Sequence, residues 1–276
     1  MDAVELNKVF HDHECAYYDD RFGIVHDAAS AQQAQSEVEA LLGREIEAGE
    51  TVLDVGCGTG WFAAGLQRAR PDVTVIGVDL SEGMLGKARL AGAANLVQGD
   101  GTKLPFADDA VDIVVGRGVL HHLPDPSLAL AEWHRILRPG GALVLSSEPT
   151  PTVEQHGAIL VRGLLQIPGL RGGLAEEDEF WELAAMAANL HTFTADELAA
   201  LCRSAGYTEV GIETAGFAET LTMTASYASH GHAPDIADKL PWPLLTKLAA
   251  KADSVLWNRV LPASAKHTLQ GVAHSS

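Results

Sequence analysis

A carboxylate stands directly before a glycine-rich turn in residues 52–64, VLDVGCGTGWFAA. Asp54 closes an apolar run, and three glycines follow at alternate positions, Gly56, Gly58 and Gly60. Glycine lets the backbone turn tightly and approach a ligand closely. The G-x-G-x-G spacing differs from the G-x-G-x-x-G of dinucleotide sites, and a carboxylate here would repel a pyrophosphate. The segment therefore predicts a site for a ligand with a cationic group, such as an amino acid's ammonium.

Short apolar runs and helical patterns must position this turn. The runs are rich in Val, Ile and Leu, as expected for parallel strands covered on both faces. They lie at 51–55, 73–79, 94–98, 111–116 and 142–147. Helical patterns lie between them, near 60–70, 82–91 and 126–138. This alternation predicts a doubly wound α/β sheet, and open sheets of this kind bind ligands at the carboxyl ends of their strands.

Taken in order, these segments resemble the class I S-adenosylmethionine (SAM)-dependent methyltransferases over about residues 50–150. Residues 52–64 resemble motif I of that family, and 75–85 resemble its second acidic motif. Residues 96–115 and 137–149 resemble the third region and the turn before the fifth strand. The pattern LPF…VLHHLPDP resembles the ubiquinone/menaquinone-biosynthesis type. The resemblance implies a seven-stranded Rossmann-like sheet with helical lid insertions and SAM as cofactor.

The resemblance also implies a set of cofactor-binding residues. Asp79 is expected to accept hydrogen bonds from both ribose hydroxyls, and Asp100 from the adenine amino group. Leu80 and Met84 are placed to flank the adenine, although a core position is an equal alternative for Met84. The full expected set is Asp54, Gly56, Cys57, Gly58, Gly60, Asp79, Leu80, Met84, Asp100, Gly101, Thr102 and Arg117.

The N-terminal segment 11–23, HDHECAYYDDRFG, offers two interpretations. Its histidines and carboxylates are possible metal ligands, but a surface segment of mixed charge is favoured, and we predict no metal. In related enzymes an N-terminal Tyr-Asp element folds over the SAM pocket. An aromatic ring there can cover the sulfonium by a cation–π contact. Tyr17 or Tyr18 is expected to do so.

Candidate catalytic residues follow the fourth and fifth strands. Transfer from a sulfonium is an in-line displacement in which positioning supplies much of the acceleration. A base is required only when the acceptor must lose a proton. The candidates are Arg117, His121, His122 and Glu148, with His191 reaching in from an insertion. The two adjacent histidines share a turn, so at most one is expected to face the substrate, and both are structural in the favoured alternative.

The chain is predicted to form a single domain over 1–276. A helical cap (1–45), with a helix at 30–43 capped by Ser30, precedes the SAM-binding core (46–148) and a helical lid insertion (149–192). Residues 193–276 complete the sheet, with a capping box at Thr194 and Glu197, a strand at 208–217 and a possible second insertion at 218–262. The last strand is either 219–227 or 266–274, and we favour the second. Apolar residues in the insertions suit a hydrophobic acceptor such as a polyketide, terpenoid or quinone.

Composition narrows the function further. The formal net charge is −18 at pH 7, which argues against nucleic acid, since phosphates are bound largely by Lys and Arg. The three cysteines form no C-x-x-C pair, which disfavours a zinc knuckle or a disulfide scaffold. We see no signal peptide or membrane span, so we expect a cytoplasmic protein with a small-molecule acceptor, and we keep a homodimer as an option. A non-catalytic SAM-binding protein and a dinucleotide-dependent oxidoreductase stay open as alternatives.

Overall fold

The computed structural model describes residues 2–152, 190–215, 248 and 268–276. Seven strands form one sheet in the order β3-β2-β1-β4-β5-β7-β6. The first five strands are parallel to one another, and β7 is antiparallel to both β5 and β6. The strands are β1 Thr51–Val55, β2 Thr74–Asp79, β3 Asn95–Gln98, β4 Val111–Arg117, β5 Leu137–Pro149, β6 Thr208–Ala215 and β7 Thr268–His274. The predicted Rossmann-like seven-stranded sheet is confirmed.

Helices cover both faces of the sheet. They are α1 Ala3–Glu14, α2 Tyr18–Phe22, α3 Ala28–Leu42, α4 Trp61–Ala69, α5 Glu82–Ala91, α6 Pro126–Ile136 and α7 Ala195–Ser204, with a 3-10 turn at Leu120–His122. One buried cluster joins the sheet to α3, α4 and α5, and the other joins it to α6 and α7. The central strands are therefore apolar on both faces, which explains their continuous rather than alternating hydrophobic pattern.

The last strand is the second of the two predicted alternatives. Residues 268–274 lie between β5 and β6, with Val272 opposite both Val144 and Gly211. Gly271 shows how closely these strands approach, since a Cβ atom there would lie 2.0 Å from the carbonyl oxygen of Gly211. The alternative at 219–227 lies outside the described residues, as do almost all of the two predicted lid insertions.

Two helix boundaries differ from the sequence prediction. Asp27, not Ser30, caps α3, and its carboxylate accepts the backbone N–H of Ser30 at 2.8 Å. Helix α6 ends at Ile136 and β5 begins at Leu137, because Pro139 disfavours helical conformation in the residue before it. The capping box at Thr194 is confirmed: Glu197 and Thr194 exchange hydrogen bonds. No helix in the part of the chain described here is both long and apolar enough to cross a membrane.

Candidate functional site

A cleft of about 790 Å³, including its open mouth, lies at the carboxyl ends of β1, β2 and β4. The residues predicted from sequence that line it are Tyr18, Gly56, Gly58, Asp79, Leu80, Met84, Asp100, Gly101, Arg117 and His122. The other predicted residues do not line it: Tyr17, Asp54, Cys57, Gly60, Thr102, His121, Glu148 and His191. The fold thus brings together residues from five separate segments of the sequence.

The glycine-rich turn forms one wall of the cleft, and its glycines are required for two reasons. Gly56 has φ of 70°, and a Cβ there would lie 2.3 Å from a methyl group of Val119. Gly60 has φ of 82°, and a Cβ there would lie 2.8 Å from Ala88 on α5. Left-handed backbone favours glycine, so the turn needs glycine both for its conformation and for its close packing.

Asp79 ends β2 and holds the glycine-rich turn in place. Its carboxylate accepts the backbone N–H of Gly58 at 2.8 Å and that of Ser81 at 2.9 Å. Burial raises the pKa of this carboxyl above its usual range, and the two backbone N–H groups oppose the shift. A carboxylate so fixed at the cleft wall is well placed to accept hydrogen bonds from a ligand's hydroxyl groups.

Asp54 lies behind the turn rather than in the cleft wall. It is 2% exposed, and its Oδ2 atom is buried without a hydrogen-bond partner in the structure. Burial, and next the nearby Asp79 carboxylate, raise its pKa to about 7. Cys57 is also buried, and burial raises the pKa of its thiol well above the usual value. The turn therefore covers a carboxyl group whose hydrogen-bonding capacity is not fully used.

Apolar side chains and a second carboxylate also line the cleft. Leu80, Met84 and Gly101 line it together with Asp100. Met84 is 2% exposed, so it combines the two predicted alternatives, a core side chain that also reaches the cleft. Asp100 accepts the backbone N–H and the hydroxyl of Thr102, both at 2.8 Å. Thr102 consequently supports Asp100 from outside the cleft.

The two N-terminal helices, α1 and α2, contribute residues to the wall of the cleft. Tyr18 lines it, whereas Tyr17 does not and is 60% exposed. Burial raises the pKa of the Tyr18 hydroxyl far above its usual value. Asp12 accepts the hydroxyl of Ser81 and the N–H of Gly83. These contacts attach the cap directly to the residues that follow Asp79.

Two cleft residues of the cap, Asn7 and His11, were not predicted as ligand contacts. Asn7 donates to the backbone carbonyl of His122 at 2.7 Å, and the His11 and His122 rings meet edge to face at 5.1 Å. Val4, Asn7 and His11 share one face of α1, and this three- and four-residue spacing was the available signal. Within the described ranges no cluster of three metal-ligating side chains occurs.

Glu148 occupies a buried position beneath the turn after β4. It is 0% exposed and accepts the backbone N–H groups of Val119, Leu120 and His121 at 2.9–3.1 Å. The same carboxylate contacts Nδ1 of His121 at 2.9 Å. Of the predicted histidines, His122 lines the cleft, whereas the neighbouring His121 packs against it with ring centroids 4.0 Å apart.

His191 lies near this turn but outside the cleft wall. The preceding residue, Leu190, donates its backbone N–H to the carbonyl of His121 at 3.1 Å. The His191 ring stacks on Phe193 with centroids 6.0 Å apart, and its Nε2 atom is buried without a hydrogen-bond partner.

Arg117 ends β4 and reaches the cleft from the side of α4. Its guanidinium carbon lies 4.7 Å from the centroid of the Trp61 ring, and its Nε atom lies 3.5 Å from Glu37. Glu37 also accepts the hydroxyl of Ser146 at 2.8 Å. The cation is thereby held between an aromatic face and a carboxylate.

Residues 53–145 match a family model described as a methyltransferase domain. Together with the sheet order and the cleft at the strand ends, this match shows that residues 53–145 form a methyltransferase domain with a Rossmann-like fold. Demethylmenaquinone methyltransferase from Staphylococcus aureus is 39% identical over 145 residues, which are 49% of this chain and 60% of that protein. The matched part thus spans less than two thirds of the curated relatives.

Solved structures are similar over more of the chain. A Thermotoga maritima SAM-dependent methyltransferase, described as a possible histamine N-methyltransferase, is 25% identical with a TM-score of 0.51. The match covers 76% of this chain and 86% of that one. Phosphoethanolamine N-methyltransferase 2 of Haemonchus contortus, solved with SAM, has a TM-score of 0.58 at 16% identity, covering 96% of this chain and 57% of that chain. The second likeness supports the fold alone.

Proposed function

We propose that this protein transfers a methyl group from SAM to an oxygen or carbon atom of a small, hydrophobic acceptor. The observation that carries the proposal is a single cleft containing the glycine-rich turn, Asp79, Asp100 and His122. SAM supplies an activated methyl group, and the chain's task is to position it and to exclude water. The match to demethylmenaquinone methyltransferase supports an acceptor of the quinone class, with terpenoids and other natural products as related possibilities.

The cofactor-binding roles follow from position in the cleft. We assign Asp79 to the ribose hydroxyls, and Asp100 with Leu80 and Met84 to the adenine. Tyr18 would cover the sulfonium, and its raised pKa keeps it a neutral phenol at physiological pH. Asp54, with its unpartnered oxygen just behind the glycine-rich turn, would face the ammonium group.

His122 is our proposed base for an acceptor that must lose a proton. It lines the cleft, and imidazole titrates near neutral pH. Glu148 and His121 would be positioning residues, because Glu148 holds the turn that carries His122. His191 would contact the acceptor from the side of the lid, through its unpartnered Nε2.

A transfer assay tests the proposal. The protein is incubated with SAM and a panel of naphthoquinols, lipophilic phenols and carboxylic acids, and S-adenosylhomocysteine (SAH) and methylated product are measured by mass spectrometry. We expect turnover of at least one panel member. His122→Gln should lower the rate roughly 100-fold or more, whereas His13→Gln, on the exposed side of α1, should not. SAH binding without any methylated product would instead favour the non-catalytic SAM-binding alternative.

A further inference from the structure

We infer that Arg117 is a specificity-determining residue that selects cofactors with a free α-carboxylate, by pairing its guanidinium with that group. The inference rests on the proposed use of SAM in the cleft. It concerns the amino-acid end of the cofactor. The residues assigned above to the ribose and the adenine do not determine how the α-carboxylate is bound.

The position of Arg117 in the sheet supports this role. Strands β1 and β4 are parallel neighbours, and Val55 is paired with Gly116. Arg117 therefore leaves the sheet beside Gly56, at the start of the glycine-rich turn. Both residues line the cleft. A ligand group that lies against this turn is consequently within reach of the guanidinium.

The side chain is also held ready before a ligand arrives. The Trp61 ring faces its guanidinium carbon at 4.7 Å, and Glu37 lies 3.5 Å from its Nε atom. A cation over an aromatic face is stabilised by the ring quadrupole. The planar fork of the guanidinium matches a carboxylate in a way that lysine cannot.

The charges around the turn match an α-amino acid, which carries an ammonium and a carboxylate on one carbon atom. Asp54 supplies a buried carboxyl with an unpartnered oxygen, suited to the ammonium. Arg117 lies on the strand next to Asp54, because Val55 is paired with Gly116 and Asp54 with Val115. Among the cleft-lining residues that the structure describes, Arg117 is the one lysine or arginine. It is therefore the residue that fits the carboxylate.

A pair of ligands isolates this contact. SAH carries the α-carboxylate, and 5′-S-(3-aminopropyl)-5′-thioadenosine is the same molecule without it. Calorimetry measures the affinity of both ligands for the unmodified protein and for Arg117→Met. We expect the unmodified protein to prefer SAH by about 10- to 100-fold, the strength of a hydrogen-bonded charge pair. Arg117→Met should bind both ligands about equally, with its affinity for the amine analogue unchanged.

Two further variants complete the test. Arg89→Met is the matched control, because Arg89 is 60% exposed on α5 and does not line the cleft. It should keep the full preference for SAH. Arg117→Lys retains the charge and is measured in case the methionine variant does not fold; it should show an intermediate preference.

Three outcomes would overturn the inference. They are an unmodified protein without preference between the ligands, an undiminished preference in both Arg117 variants, and an equal loss of affinity for both ligands. Failure of the proposed function can be distinguished from failure of this inference. If the preference depends on Arg117 but no acceptor is methylated, the carboxylate contact stands and catalysis does not. If acceptors are methylated but Arg117→Met and Arg117→Lys bind SAH normally, only the inference fails.

Discussion

Two buried carboxylates at the carboxyl ends of strands have opposite surroundings. Glu148, near the end of β5, is 0% exposed and accepts three backbone N–H groups and contacts a histidine nitrogen. Asp54, in β1, is 2% exposed and has an oxygen with no partner. Burying a carboxylate is costly unless hydrogen bonds replace its hydration. Glu148 is thus satisfied by the fold itself, whereas Asp54 keeps one oxygen without a hydrogen-bond partner, which our proposal assigns to the cofactor's ammonium group.

The largest expected effect is on stability at Glu148. Replacement by Ala leaves three backbone N–H groups buried without an acceptor, and we expect unfolding free energy to fall by about 3–5 kcal/mol. Urea denaturation measures this loss. Glu47→Ala, at an exposed position, should change stability by no more than about 0.5 kcal/mol. A loss below about 1 kcal/mol for Glu148→Ala would mean that water replaces the carboxylate.

Asp79 stands between the two extremes, with two backbone N–H partners and a place in the cleft wall. Asp79→Ala should weaken SAH binding by roughly 1.5–3 kcal/mol, because hydrogen bonds to a charged acceptor are lost. Calorimetry checks this value. Asp72→Ala, at an exposed position away from the cleft, serves as control. Unchanged affinity in Asp79→Ala would place the ribose elsewhere.

The raised pKa of Asp54 should make the stability of the protein depend on pH. Its pKa is about 7 in the folded protein against 3.8 for the unperturbed group, so the folded state binds the proton more tightly. Its ionisation therefore destabilises the protein increasingly as pH rises from about 4 to 7, and fully above 7. Asp54→Asn removes this penalty, and its stability relative to the unmodified protein should rise by roughly 2–3 kcal/mol between pH 5 and 8.

Thermal unfolding across this pH range measures the effect. The control is Asp20→Asn, at an exposed position on α2, which should show no pH-dependent gain. A constant offset between Asp54→Asn and the unmodified protein at every pH would show that the Asp54 pKa is not raised by folding.

The smallest effect concerns the histidine that contacts Glu148. His121→Phe keeps a ring but removes the Nδ1 contact at 2.9 Å, and we expect a loss of about 1 kcal/mol. Urea denaturation of this variant measures how much of the stability loss in Glu148→Ala comes from the histidine contact and how much from the three backbone N–H groups. A loss as large as that of Glu148→Ala would show that the ring, rather than the three backbone N–H groups, is the main partner of the carboxylate.

The sequence predicted the features that depend on local pattern. The carboxylate and glycines of residues 54–60 lie together on one short segment, and Asp79 and Asp100 each follow a recognisable apolar run. Parallel strands bring their carboxyl ends to one edge of the sheet, so the position of Asp79 and Asp100 in one cleft could be predicted without coordinates.

Other features depend on distances between segments that are remote in sequence. The role of Glu148 requires the turn at 119–121 to lie above the end of β5, 27 to 29 residues away. Asn7 contacts His122 across 115 residues, and the angle at which α1 crosses the cleft is not encoded in its own periodicity. Tyr17 and Tyr18 are neighbours of equal chemistry, and only the packing of the cap distinguishes them.

The position of β7 also has a consequence for synthesis of the chain. Strand β6 pairs with β7 within the described sheet, and the hydrogen bond from Thr268 to Ala215 joins residues 53 positions apart. At roughly 5–20 residues per second of translation, β6 emerges several seconds before its partner strand exists. During that interval β6 has no strand to pair with, and its backbone N–H and C=O groups stay unpaired, as they do along an exposed sheet edge. We therefore expect nascent chains paused between residues 215 and 268 to aggregate or to bind chaperones more readily than completed ones.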